Sequence, residues 1–540
     1  MNSRGLLGRL DDGLNPIVVK ELRQAVRSRL VTSVLLLFLG VQLTYLAARL
    51  VVTETEDHRD PIRFQMHGEF EGGREAFAVI QGILLGTCML FLPMYTGVRL
   101  AAERSEVNVD LLFITTLRPR AIVTGKLTAA LVLALMIFSA CAPFMVFTYF
   151  LRGIDLPTIF FVVAIDFVAV MVTVQLGIFL AVVPANRVLK GLLGLLGLFV
   201  LSILLTYTLA GTLYLLYTGL PALLEDPEFP SVLVGVSLML VAFFGLLFVC
   251  SVALLNPPSA NRALPVRIFL LLFGVASGGL FILWDHDSYG DMLFIAWIVG
   301  MGILCSLSLI IAVSEREQWG PRMERAIPRR WWLRWPTFLF YSGAAGGVLF
   351  SLLLLALTAV LVQVRRNLVS VEHLFMDFRG EFVVRDARQV IVEMMGAMFL
   401  YIYCYALTAS WIRRVFLPWL PSGYTWIAVF VLLAVGCAVP FLTSFLLLNR
   451  GAPYATHVPW LLPNPGVAIY EFREPHSLYR SAFLIFACVW AGAITLASLP
   501  WFARQVRGFR PFASSAAGRL QEPPTLSMPS GQMDVTKTSP

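Results

Sequence analysis

Apolar positions in this chain neither alternate with polar ones nor recur every third or fourth residue. They come in unbroken blocks of about 20 or more residues, separated by short charged or proline-bearing stretches. About 20 apolar residues carry a helix across the hydrocarbon of a bilayer. Backbone amides at that depth are satisfied only within a helix or a closed barrel, and barrel strands would be shorter and alternating. The blocks predict spans at about 30–52, 76–98, 127–150, 158–183, 191–217, 232–255, 266–284, 292–313, 337–362, 389–412, 425–448 and 481–503. The expected fold class is all-α: a polytopic membrane helix bundle of about 12 transmembrane helices.

Composition sharpens this reading. Hydrophobic residues make up 58% of the 540 and charged residues 14%, where a soluble domain carries roughly 25% charged residues. No soluble-enzyme reading survives that balance. The net charge of +8 could suggest nucleic acid, but the basic residues sit in short loops beside the apolar blocks, so no nucleic-acid partner is expected. With the N-terminus in the cytoplasm, inside segments hold roughly 28 of the 41 basic residues. Stretch 314–336 carries Arg316, Arg322, Arg325, Arg329, Arg330 and Arg334, while the first outside loop holds Glu54, Glu56, Asp57, Asp60, Glu69, Glu71 and Glu75. The expected localisation is the plasma (inner) membrane, multi-pass, with both termini cytoplasmic. The first block reads as a retained span, because its leading segment is long and no small-x-small cleavage site follows it.

The seven cysteines all lie within apolar blocks and none forms a C-x-x-C pair. They read as packing residues, with no disulfide framework and no metal site. Glycines at G-x-x-x-G spacing (Gly82 and Gly86, Gly274 and Gly278, Gly343 and Gly347) predict close helix approach, within the chain or against a second copy. Asn15-Pro16 before the first span recurs as Asn256-Pro257 before the seventh. Glu103-Arg104 after the second span recurs as Glu315-Arg316 after the eighth. These pairs suggest two six-helix halves.

Two cytoplasmic stretches carry the functional argument. In Asn15–Arg29, Asn15 suits an N-cap and Pro16 the first helical position. Val18, Leu22, Ala25 and Val26 form an apolar stripe opposite Lys20, Arg23, Gln24 and Arg27, predicting an amphipathic helix lying in the membrane interface. A generic basic anchor would show the same pattern. In the loop after the second span, charges precede a short apolar helix in which Val107, Leu111 and Ile114 share a face with Leu112 beside it. An apolar helix in an aqueous loop calls for a partner groove.

The segment N-P-x-x-x-K-E-L-R, read here at Asn15, Pro16, Lys20, Glu21, Leu22 and Arg23, together with this loop, resembles the permease subunits of ABC-2-type ATP-binding cassette transporters. The family's loop reads A-E-R-E-x-G-T-L-E-L-L-L-x-T-P-L-S, followed by a spacer and G-K. This chain matches at Ala102, Glu103, Arg104, Leu111, Leu112, Thr115, Leu117, Gly125 and Lys126, with Asp110 in place of the acidic Glu. It departs at Ser105, Val107, Asn108, Thr116 and Arg118. The resemblance covers about residues 15–255 and none of the second half. It implies that the N-terminal helix and the loop contact a separate ATPase (nucleotide-binding) subunit, with Glu103 to Leu117 coupling its closure to the spans. ATP and Mg would then reside on that partner, with no cofactor in this chain and a second permease copy as a further partner. The expected organisation is 1–29 with the interface helix, 30–255 as an ABC-2-like six-helix domain, 256–503 as a second six-helix region, and 504–540 as a disordered cytoplasmic tail.

No G-x-x-x-x-G-K-[ST] occurs, and Gly125-Lys126 is followed by Leu127, so this chain is not expected to hydrolyse ATP. H-E-x-x-H and G-x-S-x-G are absent too. Asp166, inside the fourth block, is either a substrate-path residue or a hydrogen-bonded structural carboxyl. Asp285, His286, Asp287 and Asp291, like His58 and His67, read as loop polar groups rather than a cation site. Trp331, Trp332 and Trp335 with Arg334 form an interfacial anchor. The expected function is an exporter-type permease subunit. The rival readings are a membrane-embedded secondary transporter or lipid-handling enzyme, and a scaffold without transport.

Overall fold

The computed structural model describes residues 16–57, 61–103, 118–150, 154–184, 187–257, 259–283, 288–368, 374–376, 382–384, 387–448, 458–473 and 478–511. Among them, 12 helices are long and apolar enough to cross a membrane. A short helix, α1 (Pro16–Val26), leads into the first four spans, α2 (Arg29–Asp57), α3 (Pro61–Glu103), α4 (Pro119–Phe150) and α5 (Leu156–Val182). The fifth span, α6 (Arg187–Thr218), is joined through the short α7 (Leu220–Glu225) to the sixth, α8 (Phe229–Leu255). The seventh and eighth are α9 (Ala263–Leu283) and α10 (Ser288–Val313). Two short helices, α11 (Pro321–Arg325) and α12 (Trp331–Phe340), precede the ninth, α13 (Ala344–Leu368). The last three spans are α14 (Ala387–Phe416), α15 (Thr425–Leu448) and α18 (Arg480–Gly508), with α16 (Val458–Leu461) and α17 (Pro465–Arg473) between the last two.

Among the differences from the apolar-block reading are two boundaries and one hairpin. The ninth span starts at Ala344 and not near 337, because the chain breaks at Tyr341–Gly343 after the Trp-rich α12. The twelfth span stays helical to Gly508, so the segment from 504 begins as helix; residues 512–540 of the expected tail lie outside the described residues. Strands β1 (Leu374–Met376) and β2 (Phe382–Val384) pair antiparallel between α13 and α14, with Leu374 opposite Val384. The spans themselves are helical throughout.

The spans pack in a pattern that repeats. In the first half, the second span lies against the third, fourth and fifth, and the fourth also touches the fifth and sixth. In the second half, the eighth lies against the ninth, tenth and eleventh, and the tenth touches the eleventh and twelfth. One apolar cluster draws its buried residues from Ala25 to Leu255, and another from Leu270 to Ile494. The sixth span joins them by packing on the seventh and eighth.

The second and fourth spans approach each other closely at the backbone. A Cβ on Gly177 would lie 2.5 Å from the carbonyl oxygen of Pro93, and one on Gly97 3.0 Å from the Gly177 oxygen. The expected pair Gly82 and Gly86 faces open space instead, with nothing nearer than a Leu209 methyl at 4.0 Å. Close packing here uses one glycine from each helix, so no spacing along one helix announces it. Gly274 and Gly278 meet side chains of Met301, Leu361 and Trp297, and Gly347 meets Ala312 and Arg267.

Segment Val458–Arg473 forms an elbow. Its tip is held by Tyr401, whose hydroxyl donates to the Leu462 oxygen (2.7 Å), by Tyr405, which donates to Pro463 (2.7 Å), and by Asn464, whose amide donates to Cys437 (3.2 Å). Tyr401 and Tyr405 lie near the middle of the tenth span, about 17–23 Å along the helix from Val390 at 1.5 Å per residue. Non-helical backbone at membrane depth survives only where protein or water satisfies it, and these side chains do so.

Candidate coupling face

The N-terminal helix meets the second and third spans through a cluster of four charges. Lys126, near the start of the third span, places its ammonium 2.6 Å from Glu21 on α1 and 2.8 Å from Glu103 at the end of the second span. Lys20 lies 2.9 Å from the other oxygen of Glu103. Lys126 is 3% exposed and the Glu21 side chain 8%, so this pair is buried, whereas Lys20 is 55% exposed and Glu103 32%. Arg99, one turn before Glu103, donates to Gln24 on α1 and to the Tyr95 hydroxyl. A small pocket beside the cluster is lined by Glu21, Ala25, Tyr95, Thr96, Lys126, Ala129, Ala130 and Leu133.

The protein itself covers only part of the apolar stripe expected on α1. The buried positions are Val18, Glu21 and Ala25, with Leu22 half-buried and Val26 74% exposed. Leu22 and Val26 are thus left to the surroundings, as on an interfacial helix, while Glu21 of the same helix turns inward. Here α1 packs against the third span, and Glu21 can be buried because Lys126 neutralises it.

Four of the residues singled out by sequence are thus brought into contact: Lys20, Glu21, Glu103 and Lys126. Gly125 is buried beside Lys126, and Arg23 is exposed on the outer side of α1. Asn15 lies outside the described residues, as do Arg104, Asp110, Leu111, Leu112, Thr115 and Leu117 of the loop. Sequence reading missed Tyr95 and Arg99 and gave Gln24 only a place on the polar face; the spacing of Tyr95, Arg99 and Glu103 at successive turns was the available signal.

No family model matches the chain, and neither a curated protein nor a solved structure does.

The second half has its own clamp at the corresponding corner. Arg267 on the seventh span donates to both oxygens of Glu315 at 2.6 Å, and also to the carbonyls of Leu339 and Tyr341 at 2.7 Å. Glu315 accepts the Gly343 amide at 2.6 Å. The glutamate that follows the second span of each half is therefore held by a basic side chain. Its supplier differs: α1 and the third span in the first half, the seventh span in the second.

Asp166 is fully buried in the fourth span, and accepts from the Gln81 amide at 2.9 Å. Gln42 donates to Cys141 at 3.0 Å. Four of the cysteines are buried, Cys250 and Cys437 are half-buried, and all seven are free thiols. Cys488 is exposed, which departs from the packing role expected of it. Among the described residues, no group of three His, Cys, Asp or Glu is placed to hold a metal. Residues His58, Asp285, His286 and Asp287 lie outside that set, and the side chains of His67 and Asp291 are not described.

Proposed function

We propose that this multi-span membrane protein is the transmembrane permease subunit of an ABC-2-type transporter, working in export and driven by a separate ATPase chain. One observation supports the reading above the others. The two stretches that carry the family resemblance are far apart in sequence, yet Glu21 of one meets Lys126 of the other, which also holds Glu103, in one ion cluster. Such a cluster makes α1 and the flanks of the 104–117 loop a single rigid corner. A push delivered to that loop would then reach the second and third spans together. The repeated packing of the second half suits a chain that supplies two comparable six-helix domains.

The test is association with an ATPase subunit. The double variant Leu111→Asp/Leu112→Asp alters no span and should insert normally. Burying one Leu stabilises by roughly 1.5–3 kcal/mol, so losing two and adding charge should weaken capture of the ATPase chain by well over tenfold and abolish transport-stimulated hydrolysis. Full ATPase association by this variant would sink the reading. Loss of transport on Asp166→Asn with no ATPase chain present would favour the secondary-transporter alternative.

A further inference from the structure

Buried hydrogen-bonding groups are nearly always paired, so a group of them left unpaired in one place asks for a partner from elsewhere. At the ends of the tenth and twelfth spans that share a side with α1, five donor atoms have no acceptor. They are the hydroxyls of Ser410 and Ser498, Arg413 Nε, Arg414 Nη2 and the Trp501 indole nitrogen. Ser410, Arg413 and Arg414 occupy one face of the tenth span at i, i+3 and i+4. Ser498, Trp501 and Gln505 occupy one face of the twelfth at i, i+3 and i+7. These two helices pack together, and the Arg414 guanidinium lies over the Trp501 ring, 4.1 Å from its centroid.

The charge balance has one sign. Arg413 is paired with Glu317, and Gln505 donates to the Glu317 carbonyl at 2.6 Å. Arg414 donates through Nε to the Ser410 carbonyl at 2.9 Å and feels the charges of Glu317, Arg413 and Arg504. Three cations against one carboxylate leave an excess of two positive charges. Ser410, Arg413, Ser498 and Trp501 are all more than nine-tenths buried. Exposed apolar side chains flank the place: Val415, Phe416, Trp419 and Leu499.

We infer that the seam where the tenth and twelfth spans meet at Arg413, Arg414 and Trp501, entered beside the half-buried Arg414, binds the phosphate-bearing headgroup of an anionic phospholipid. An oxyanion accepts from guanidinium, hydroxyl and indole donors alike, and charge-assisted bonds to Arg are the strong ones. The source is lipid because the donors lie at span ends, where headgroups sit, with apolar surface beside them for acyl chains. The Gln505 Oε1 atom is the one acceptor in the group without a partner, and a headgroup hydroxyl, as in phosphatidylglycerol, donates to it.

The experiment uses the full chain in detergent, titrated with phosphatidylglycerol, phosphatidylcholine or inorganic phosphate and followed by native mass spectrometry. Phosphatidylglycerol should bind saturably with at least tenfold preference over phosphatidylcholine. Arg414→Gln should reduce that affinity at least tenfold and Trp501→Phe several-fold, while exposed Arg329→Gln leaves it unchanged. Both of these variants keep Arg413 on Glu317, and if Arg414→Gln fails to fold, Trp501→Phe decides. Equal binding of the two lipids, or unchanged affinity in a folded Arg414→Gln or Trp501→Phe variant, would overturn the proposal. Inorganic phosphate binding as tightly as phosphatidylglycerol would overturn the lipid source.

Discussion

Lys126 and Lys20 show how burial sets the value of a charge. Both contact Glu103, yet Lys126 is 3% exposed and Lys20 55%. Removing one partner of a buried pair leaves an uncompensated charge and costs roughly 3–5 kcal/mol, whereas an exposed pair contributes about 0–1 kcal/mol. Lys126→Met should therefore lower the thermal midpoint sharply, and Lys20→Met should barely move it. Glu21→Gln added to Lys126→Met should recover part of the loss, since it removes the orphaned carboxylate. A thermal-melt cycle over the unaltered protein, Lys126→Met, Glu21→Gln and the double variant measures the coupling; additive effects would show that Glu21 and Lys126 do not act as a pair. The resemblance singled out Glu21 and Lys126 separately. Their contact was not legible, because 105 residues separate them and nothing in either local pattern specifies the other.

Elements were legible where length alone decides. Twelve apolar blocks each long enough to cross could be nothing but spans, and all twelve are present. Reading failed where hydropathy runs on through a break. Phe338, Leu339 and Phe340 continue the apolar run toward Ala344, so the turn at Tyr341–Gly343, fixed by Asn261, Trp319 and Glu315, left no mark in the pattern. It failed again at the elbow, whose prolines and short apolar runs look like any loop. Helix contact was likewise misread: the glycine that matters is Gly177, against Pro93. Gly177→Leu should push the second and fourth spans apart, destabilising by roughly 1–3 kcal/mol or more. Gly86→Leu, which meets open space, should be neutral. Comparing the folded fractions of the two on size exclusion checks this, and equal loss in both would refute the packing account.

For the whole molecule, twelve spans put α1 and the end of the twelfth span on one side of a membrane, and the bias of the basic residues makes the cytoplasm the proposed side. Reporters fused at Gly72 and Gly531 should therefore report opposite sides; agreement between them would break the twelve-span topology. The elbow adds a constraint on how this topology is built. A growing chain reaches a membrane N-terminus first, so the order in which donors and acceptors emerge matters. Tyr401 and Tyr405 belong to the tenth span and Cys437 to the eleventh, and both spans precede the elbow they hold. The tip can thus be satisfied before the twelfth span has been synthesised. A nascent chain halted just beyond Arg473 already contains every partner the tip uses, so the last helix closes over an elbow that is already seated and need not wait to thread one beneath it.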